Sequence, residues 1–147
     1  MNKRNGQPYP ESEARRIFAD MLLGMKTIVD HGYVHRDLKP ENTFITKGKY
    51  QIADFGFCQI VKPGQQMDFF GGTPGYMNPQ IVLQQKYTHK CDIWTIAIIY
   101  YELLFGNIPG RGRDDQQRIA DLSRNGVQFP RNIRISDESR AFLQGCL

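Results

Sequence analysis

The sequence has 147 residues, enough for one domain with a single buried core. Apolar residues make up 40% and charged residues 23%, which excludes a disordered chain, and three cysteines without a C-x-x-C pair argue against a disulfide framework or a zinc site. The formal net charge of +4 comes from scattered basic residues, so we expect a solvated surface and no nucleic-acid partner.

The first predicted element is an amphipathic helix over residues 11–30. Its apolar residues recur at spacings of three, four and seven, as one buried face requires, and Gly32 follows as a termination signal. After an irregular stretch that contains Pro40, the segments TFIT (43–46) and YQIA (50–53) flank the turn 47–49. This pattern predicts a short β-hairpin.

The rest of the chain is predicted to be a long connection followed by helices. Residues 54–80 form a loop rich in glycine and proline, of a length that is usually functional or disordered. Asp92 is the expected cap of a helix that is apolar nearly all round, so this helix should lie in the middle of the domain. A polar helix is expected around 114–124, and Ser136 should cap a last helix. The fold class is therefore mainly α with a small β-hairpin.

Two short segments carry residues suited to phosphoryl transfer. The stretch HRDLKPEN (35–42) precedes DFG (54–56), and they lie at the two ends of the predicted hairpin. Asn42 and Asp54 supply the oxygen ligands that Mg²⁺ accepts beside phosphates and water. Asp37 is left free to accept a proton, and Lys39 can hold a phosphate as a point charge. Phosphoryl transfer requires positioning and charge neutralisation of this kind.

These motifs resemble the catalytic loop and the metal-binding loop of protein kinases. The segment GTPGYMNPQ (72–80) is similar to the kinase segment that ends in Ala-Pro-Glu, and residues 92–106 are similar to the family's central buried helix. The resemblance covers essentially the whole chain. It implies the C-terminal lobe of the protein kinase-like fold, which is α+β when complete, and a Ser/Thr protein kinase that uses ATP and Mg²⁺.

The resemblance also implies a role for each matching residue. Asp37 would be the catalytic base, Lys39 would contact the transferred phosphate, and Thr73 would touch both. Asn42 and Asp54 would hold the metal. The implied nucleotide site comprises Lys39, Glu41, Asn42, Phe44 and Asp54; the implied substrate site comprises Glu41, Gly72, Thr73 and Glu102; and the implied supporting residues are His35, Arg36, Phe55, Gly56 and Asp92. Glu41 and Glu102 would face basic residues that precede the target Ser or Thr of a protein substrate.

The sequence allows two structural roles for Asp92. Asp92 either caps its own helix or ties the catalytic-loop backbone to that helix, and both can hold at once.

The sequence also departs from the kinase pattern. No G-x-G-x-x-G and no V-A-I-K lysine is found, so residues 1–147 are expected to be a partial kinase domain that lacks the N-terminal lobe and the last helices. We expect the chain alone to be inactive without that N-terminal lobe. Gln80 and Asn78 stand where the family has glutamate and alanine, which should weaken the end of the activation segment, the stretch 54–80 of this sequence.

A further departure concerns regulation. Arg36 marks kinases that usually need a phosphate on the activation loop, yet residues 57–72 contain no Ser, Thr or Tyr. Activity is therefore expected to be independent of phosphorylation there, with Asp68 as the negative partner of Arg36.

An alternative function is a non-catalytic kinase-lobe fragment that acts as a binding or scaffold module. The intact phosphotransfer residues favour the enzyme. The N-terminal sequence has no secretory signal, and the apolar stretch Ile93 to Phe105 is too short to span a bilayer. We therefore expect an intracellular, cytoplasmic protein with no membrane partner.

Overall fold

The computed structural model describes residues 6–62 and 64–147. Five α-helices are present in these residues, together with four short strands and a 3₁₀ turn at Pro40–Asn42. The helices are α1 (Glu11–Asp30), α2 (Pro79–Val82), α3 (Cys91–Phe105), α4 (Asp115–Asn125) and α5 (Asp137–Cys146), and the strands are β1 (Tyr33–Val34), β2 (Thr43–Thr46), β3 (Lys49–Ile52) and β4 (Gln59–Ile60). The predicted mainly helical class with a small hairpin is confirmed.

Helix α3 is the centre of the core. Residues on all of its sides are buried, and α1 and α5 pack against it. The apolar composition of this helix explains its position, because a helix without a polar face must be covered on every side. It ends at Gly106, whose left-handed backbone (φ 77°) also leaves room for the carbonyl of Gly6.

The prediction that Asp92 caps α3 is wrong. The helix begins at Cys91, two residues before the start that a cap at Asp92 implies, and Lys90 occupies the cap position without a side-chain hydrogen bond. Asp92 lies in the first turn and is 1% exposed. Its carboxylate is therefore available for a contact outside the helix.

Helix α1 and the hairpin form one side of the fold. Strands β2 and β3 pair antiparallel with Thr43 opposite Ile52, and the Tyr50 N–H donates to the Asp20 carboxylate of α1 at 3.0 Å. The turn is one residue shorter than expected, because Lys49 already belongs to β3. Lys47 and Gly48 both have positive φ (52° and 76°), which suits a two-residue hairpin turn.

The predicted loop 54–80 is more ordered than a structureless connection. It contains β4, which pairs antiparallel with β1, and the start of α2. A second apolar cluster lies beneath it; its buried members are Val34, Val61, Met67, Ile81, Tyr87 and Cys91. The long connection is thus tied to the start of α3 by packing.

The C-terminal helices begin as predicted. The Asp114 side chain caps α4, and the Ser136 side chain caps α5 by accepting from the Ser139 N–H. Glu11 of α1 joins this cap, because its carboxylate accepts hydrogen bonds from both serine hydroxyls at 2.6 Å. No helix within the described residues is long and apolar enough to cross a membrane.

Candidate active site

The loop that follows β1 is fixed by one buried carboxylate. Asp92 accepts hydrogen bonds from the backbone N–H of His35 at 2.7 Å and of Arg36 at 2.9 Å. Arg36 has a positive φ of 69°, a conformation that is unfavourable for a side chain with a Cβ. Burial raises the pKa of Asp92, and the two backbone N–H groups offset part of this effect. Of the two interpretations of Asp92, the contacts support the tie to the loop.

His35 links this loop to the segment that follows the hairpin. Its ring is fully buried, with Nε2 3.1 Å from the Ala53 carbonyl and Nδ1 accepting from the Asp37 N–H at 3.3 Å. Both contacts are satisfied by the neutral ring with its proton on Nε2. Phe55 packs against the same ring, with centroids 5.4 Å apart. His35 therefore joins the loop after β1 to the segment that follows β3.

The centre of the candidate site is the carboxylate of Asp37. One oxygen accepts from the Thr73 hydroxyl at 2.6 Å, and the other accepts from the Lys39 ammonium at 2.8 Å. Lys39 also donates to the Thr73 hydroxyl at 2.9 Å, so the three side chains close a triangle. Burial raises the pKa of Asp37, but the hydrogen bonds from Lys39 and Thr73 and the Lys39 charge outweigh it, and the pKa lies below its usual value.

Asn42 lies beside this triangle, and Asp54 is near it. The Asn42 carboxamide nitrogen donates to the Asp37 carbonyl at 2.9 Å and to its carboxylate at 3.2 Å. Because both bonds use the nitrogen, the carboxamide oxygen is the atom that remains for a cation. The Ala53 N–H donates to the Asn42 carbonyl at 2.8 Å, which places Asp54 directly after a residue bound to Asn42.

The segment Asp54–Gly56 is exposed. Asp54 has a left-handed backbone (φ 62°), and its carboxylate accepts from the Gly56 N–H at 3.3 Å. Phe44 on β2 is 58% exposed and does not belong to the Asp37 network. The structure thus brings Asp37, Lys39, Asn42 and Thr73 into direct contact and leaves Asp54 and Phe44 open toward solvent.

The segment 72–76 carries the residues predicted for substrate binding. Gly72 (φ 141°) lies so close to the loop that an added Cβ would be 3.3 Å from the Arg36 carbonyl. The Tyr76 hydroxyl donates to the Glu102 carboxylate at 2.6 Å, and burial together with Glu102 and the charge of Glu41 raises the pKa of Tyr76. Both predicted acidic residues are therefore close to Tyr76.

The predicted ion pair between Arg36 and Asp68 is wrong. Within residues 6–62 and 64–147, no ion pair joins the two side chains, and Asp68 is exposed. The Arg36 Nε instead donates to the Phe57 carbonyl at 2.7 Å, and its guanidinium carbon lies 4.5 Å from the centre of the Phe69 ring. The electron-rich face of the ring offers an alternative to a carboxylate.

The expectation that Asn78 weakens the end of the segment needs correction. Its side chain caps α2 by accepting from the Ile81 N–H at 3.0 Å. Asparagine is among the best capping residues and alanine among the poorest, so this departure from the family pattern stabilises the start of the helix.

Sequence reasoning missed three residues that hold the segment 72–76 in place. Tyr76 lies within a motif recognised from the sequence, but its bond to Glu102 was not foreseen. The Thr95 hydroxyl of α3 donates to the Tyr76 carbonyl at 3.0 Å, and the Asp115 carboxylate of α4 accepts from the Gly75 N–H at 3.0 Å. No local pattern marks Asp115 for this role, because it pairs with a residue on a different element.

Comparisons with known proteins agree with this geometry. The protein kinase domain family matches residues 1–147. The chain is 40% identical over 134 residues to sperm motility kinase 2B of Mus musculus, covering 90% of the chain and 28% of that protein. It is 40% identical over 105 residues to serine/threonine-protein kinase PEPKR2 of Arabidopsis thaliana, covering 71% of the chain and 22% of the relative.

A third relative, probable serine/threonine-protein kinase MARK-B of Dictyostelium discoideum, is 34% identical over 132 residues, which cover 87% of the chain and 18% of that protein. The chain therefore spans less than a third of the length of each of these curated relatives. The match along all 147 residues and the levels of identity establish that this chain belongs to the protein kinase domain family.

Proposed function

We propose that this chain supplies the catalytic loop and substrate-binding segment of a serine/threonine protein kinase. The observation that carries the proposal is the triangle of hydrogen bonds among Asp37, Lys39 and Thr73. It holds a carboxylate, an ammonium and a hydroxyl within direct contact on two segments that are distant in sequence. Two of the relatives named above, PEPKR2 and MARK-B, carry names of serine/threonine-protein kinases, which supports the same class of substrate.

The residues near the triangle fit a magnesium-bound nucleotide. The Asn42 carboxamide oxygen and the exposed Asp54 carboxylate are hard oxygen donors of the kind that Mg²⁺ prefers. Lys39, Glu41 two residues after it and Phe44 on β2 complete the proposed nucleotide side of the site. When bound, Mg·ATP supplies the phosphoryl group, and the metal neutralises the charge on the phosphate oxygens.

The protein side chains have distinct parts in the proposed reaction. Asp37 accepts the proton of the substrate hydroxyl, and its lowered pKa keeps it ionised at neutral pH. Lys39 holds the transferred phosphoryl group by its positive charge, and Thr73 keeps the base and the lysine in register. Asp92 fixes the backbone of the loop by accepting hydrogen bonds from the N–H groups of His35 and Arg36.

We further propose that the substrate is a protein segment with basic residues before its Ser or Thr. Glu41 and Glu102 both place negative charge near Tyr76, where the segment Gly72–Tyr76 would bind the substrate. A basic side chain at this place would gain from two carboxylates, and the Tyr76 hydroxyl would orient the one it contacts.

The proposed enzyme also requires an N-terminal kinase lobe. A group of large apolar side chains near the hairpin is exposed, namely Leu23, Phe44, Ile45 and Phe55. These would be covered by a second lobe, which would also complete the nucleotide site. The 147-residue chain alone is therefore expected to transfer phosphate negligibly.

The experiment compares the native-length protein from its source cells with the 147-residue chain. Phosphate transfer to basic Ser- and Thr-containing peptides is measured for the wild type and for Asp37→Asn. We expect activity in the native-length protein and a loss of at least about a hundredfold in the variant, the lower range for removing a general base. Equal rates for wild type and variant would refute the assignment, and a binding or scaffold function would then replace it.

A further inference from the structure

The Arg36 side chain has an aromatic partner where an acidic one was expected. Its guanidinium carbon lies 4.5 Å from the centre of the Phe69 ring, well within the range of a cation–π contact. Its Nε donates to the Phe57 carbonyl at 2.7 Å. Among the described residues, no carboxylate forms an ion pair with this guanidinium. The positive charge is thus met by a carbonyl and a ring face, and the Tyr87 hydroxyl is a further polar neighbour of the guanidinium.

Phe69 is itself held in place from three sides. The Tyr87 hydroxyl donates to the Phe69 carbonyl at 2.6 Å, and Tyr87 also pairs with Met67 through two backbone hydrogen bonds. The Phe57 ring lies 5.8 Å from the Phe69 ring, centre to centre. An added Cβ on Gly71 would come within 2.6 Å of the ring, so the ring lies over a position that only glycine leaves open.

This contact lies next to the residues of the proposed reaction. Arg36 precedes Asp37 in the chain, and the segment that follows Phe69 returns to the same loop at Gly72, beside the Arg36 carbonyl. Thr73 then donates to Asp37. The activation segment is therefore attached to the catalytic loop at two points, one through Arg36 and Phe69 and the other through Thr73 and Asp37.

We propose that Phe69 is a positioning residue whose ring binds the Arg36 guanidinium and holds the activation segment on the catalytic loop. The ring does this in place of a negatively charged group, since residues 57–72 contain no Ser, Thr or Tyr that could carry a phosphate. This inference rests on the proposed kinase function for its effect on catalysis. The contact itself exists in the chain whether or not phosphate is transferred.

A cation–π contact and ordinary packing predict different results for matched substitutions. Phe69→Tyr and Phe69→Trp retain an electron-rich face, whereas Phe69→Leu removes it and retains an apolar side chain. Pentafluorophenylalanine at position 69 keeps the ring shape but reverses its quadrupole, so only an electrostatic contact would be lost. Gly71→Ala displaces the ring without altering Phe69 itself. Phe70→Leu is the control, because Phe70 is a neighbouring phenylalanine of similar exposure.

The test measures two properties of each variant. The first is amide hydrogen exchange of residues 67–77 in the 147-residue chain, and the second is kcat of the native-length protein on a basic peptide. We expect Phe69→Leu, Gly71→Ala and the pentafluoro variant to raise exchange about fivefold, the population shift that corresponds to one exposed cation–π contact. The same variants should lower kcat, while Phe69→Tyr, Phe69→Trp and Phe70→Leu should change neither property.

The outcomes separate this inference from the proposed function. If the pentafluoro variant exchanges and reacts as the wild type does, the ring does not act through Arg36 and the inference is refuted. If exchange rises as expected but no variant and no wild type transfers phosphate, the contact stands and the kinase proposal fails. If exchange rises while kcat is unchanged in an active enzyme, the positioning role is refuted.

Discussion

Replacement of Asp92 by alanine should be among the most destabilising single changes in the chain. The carboxylate is 1% exposed and accepts from two backbone N–H groups, at 2.7 and 2.9 Å. Its removal leaves the buried His35 N–H and the half-buried Arg36 N–H without their acceptor, and a stranded buried donor costs about 1–3 kcal/mol. Burial disfavours the charged carboxylate and offsets part of this loss. We therefore expect the free energy of unfolding to fall by about 3 kcal/mol.

The measurement is urea denaturation of the 147-residue chain, followed by far-ultraviolet circular dichroism. Asp68→Ala is the matched control, because Asp68 is exposed and its change should stay within about 0.5 kcal/mol. A loss below about 1 kcal/mol for Asp92→Ala, at an unchanged denaturant slope, would refute the reasoning from stranded donors. Such a result would mean that the backbone N–H groups of His35 and Arg36 bind other acceptors in the variant and that Asp92 does not fix the loop.

Three further predictions concern other parts of the fold. Burial acts to raise the pKa of Glu11, but the hydrogen bonds from Ser136 and Ser139 outweigh it and lower the pKa, so the ionised carboxylate stabilises the fold. Glu11→Gln should therefore destabilise the chain at pH 7, and this effect should disappear as the pH falls below the ordinary Glu pKa of 4.5. Denaturation at several pH values checks this. Ile99→Ala, at a position with 0% exposure, should lower the free energy of unfolding by about 2–5 kcal/mol, whereas Ile93→Ala, at 41% exposure, should cost far less. Tyr76→Phe should raise KM for basic peptides more than it lowers kcat in the native-length protein, because it removes the hydroxyl that donates to the Glu102 carboxylate and orients it. Equal KM values would contradict this.

The regular elements could be predicted because their causes are local. The period of apolar residues is visible within 11–30, and Ser136 followed by acidic residues marks a helix start without reference to the rest of the chain. The hairpin was equally accessible, apart from the one-residue shift at Lys49. Each of these signals lies within a few residues of the structure that it produces.

The error at Asp92 shows where local reasoning stops. An acidic residue before an apolar run is the usual sign of a cap, but here a turn at Thr88 and Lys90 already leads into the helix at Cys91. The carboxylate is then directed to His35 and Arg36, far away in sequence. No rule based on neighbours along the chain distinguishes the two uses, because the sequence around Asp92 does not show whether the helix begins before or after this residue.

The predicted partner of Arg36 was also wrong because the contact joins segments that are distant in sequence. A positive side chain was assigned the only acidic residue of segment 57–72, on the basis of charge alone. In the fold, the strand pair β1–β4 and the pairing of Met67 with Tyr87 set which side chain of that segment reaches the loop, and it is Phe69. Opposite charge indicates which side chains could pair with Arg36, but the path of the backbone determines which side chain actually lies close to it.

Most contacts of Asp37 could be predicted from the sequence, because residues close to it along the chain supply them. Lys39 and Asn42 lie two and five positions from Asp37, and the 3₁₀ turn at Pro40–Asn42 folds them back onto its carboxylate and carbonyl. Only Thr73 comes from a distant segment. Since every oxygen of Asp37 is already bound and its pKa is lowered, the carboxylate remains ionised throughout the pH range 5–8. In the proposed reaction, a change of rate within that range must therefore arise from the nucleotide, the substrate or the other lobe, and not from titration of this base.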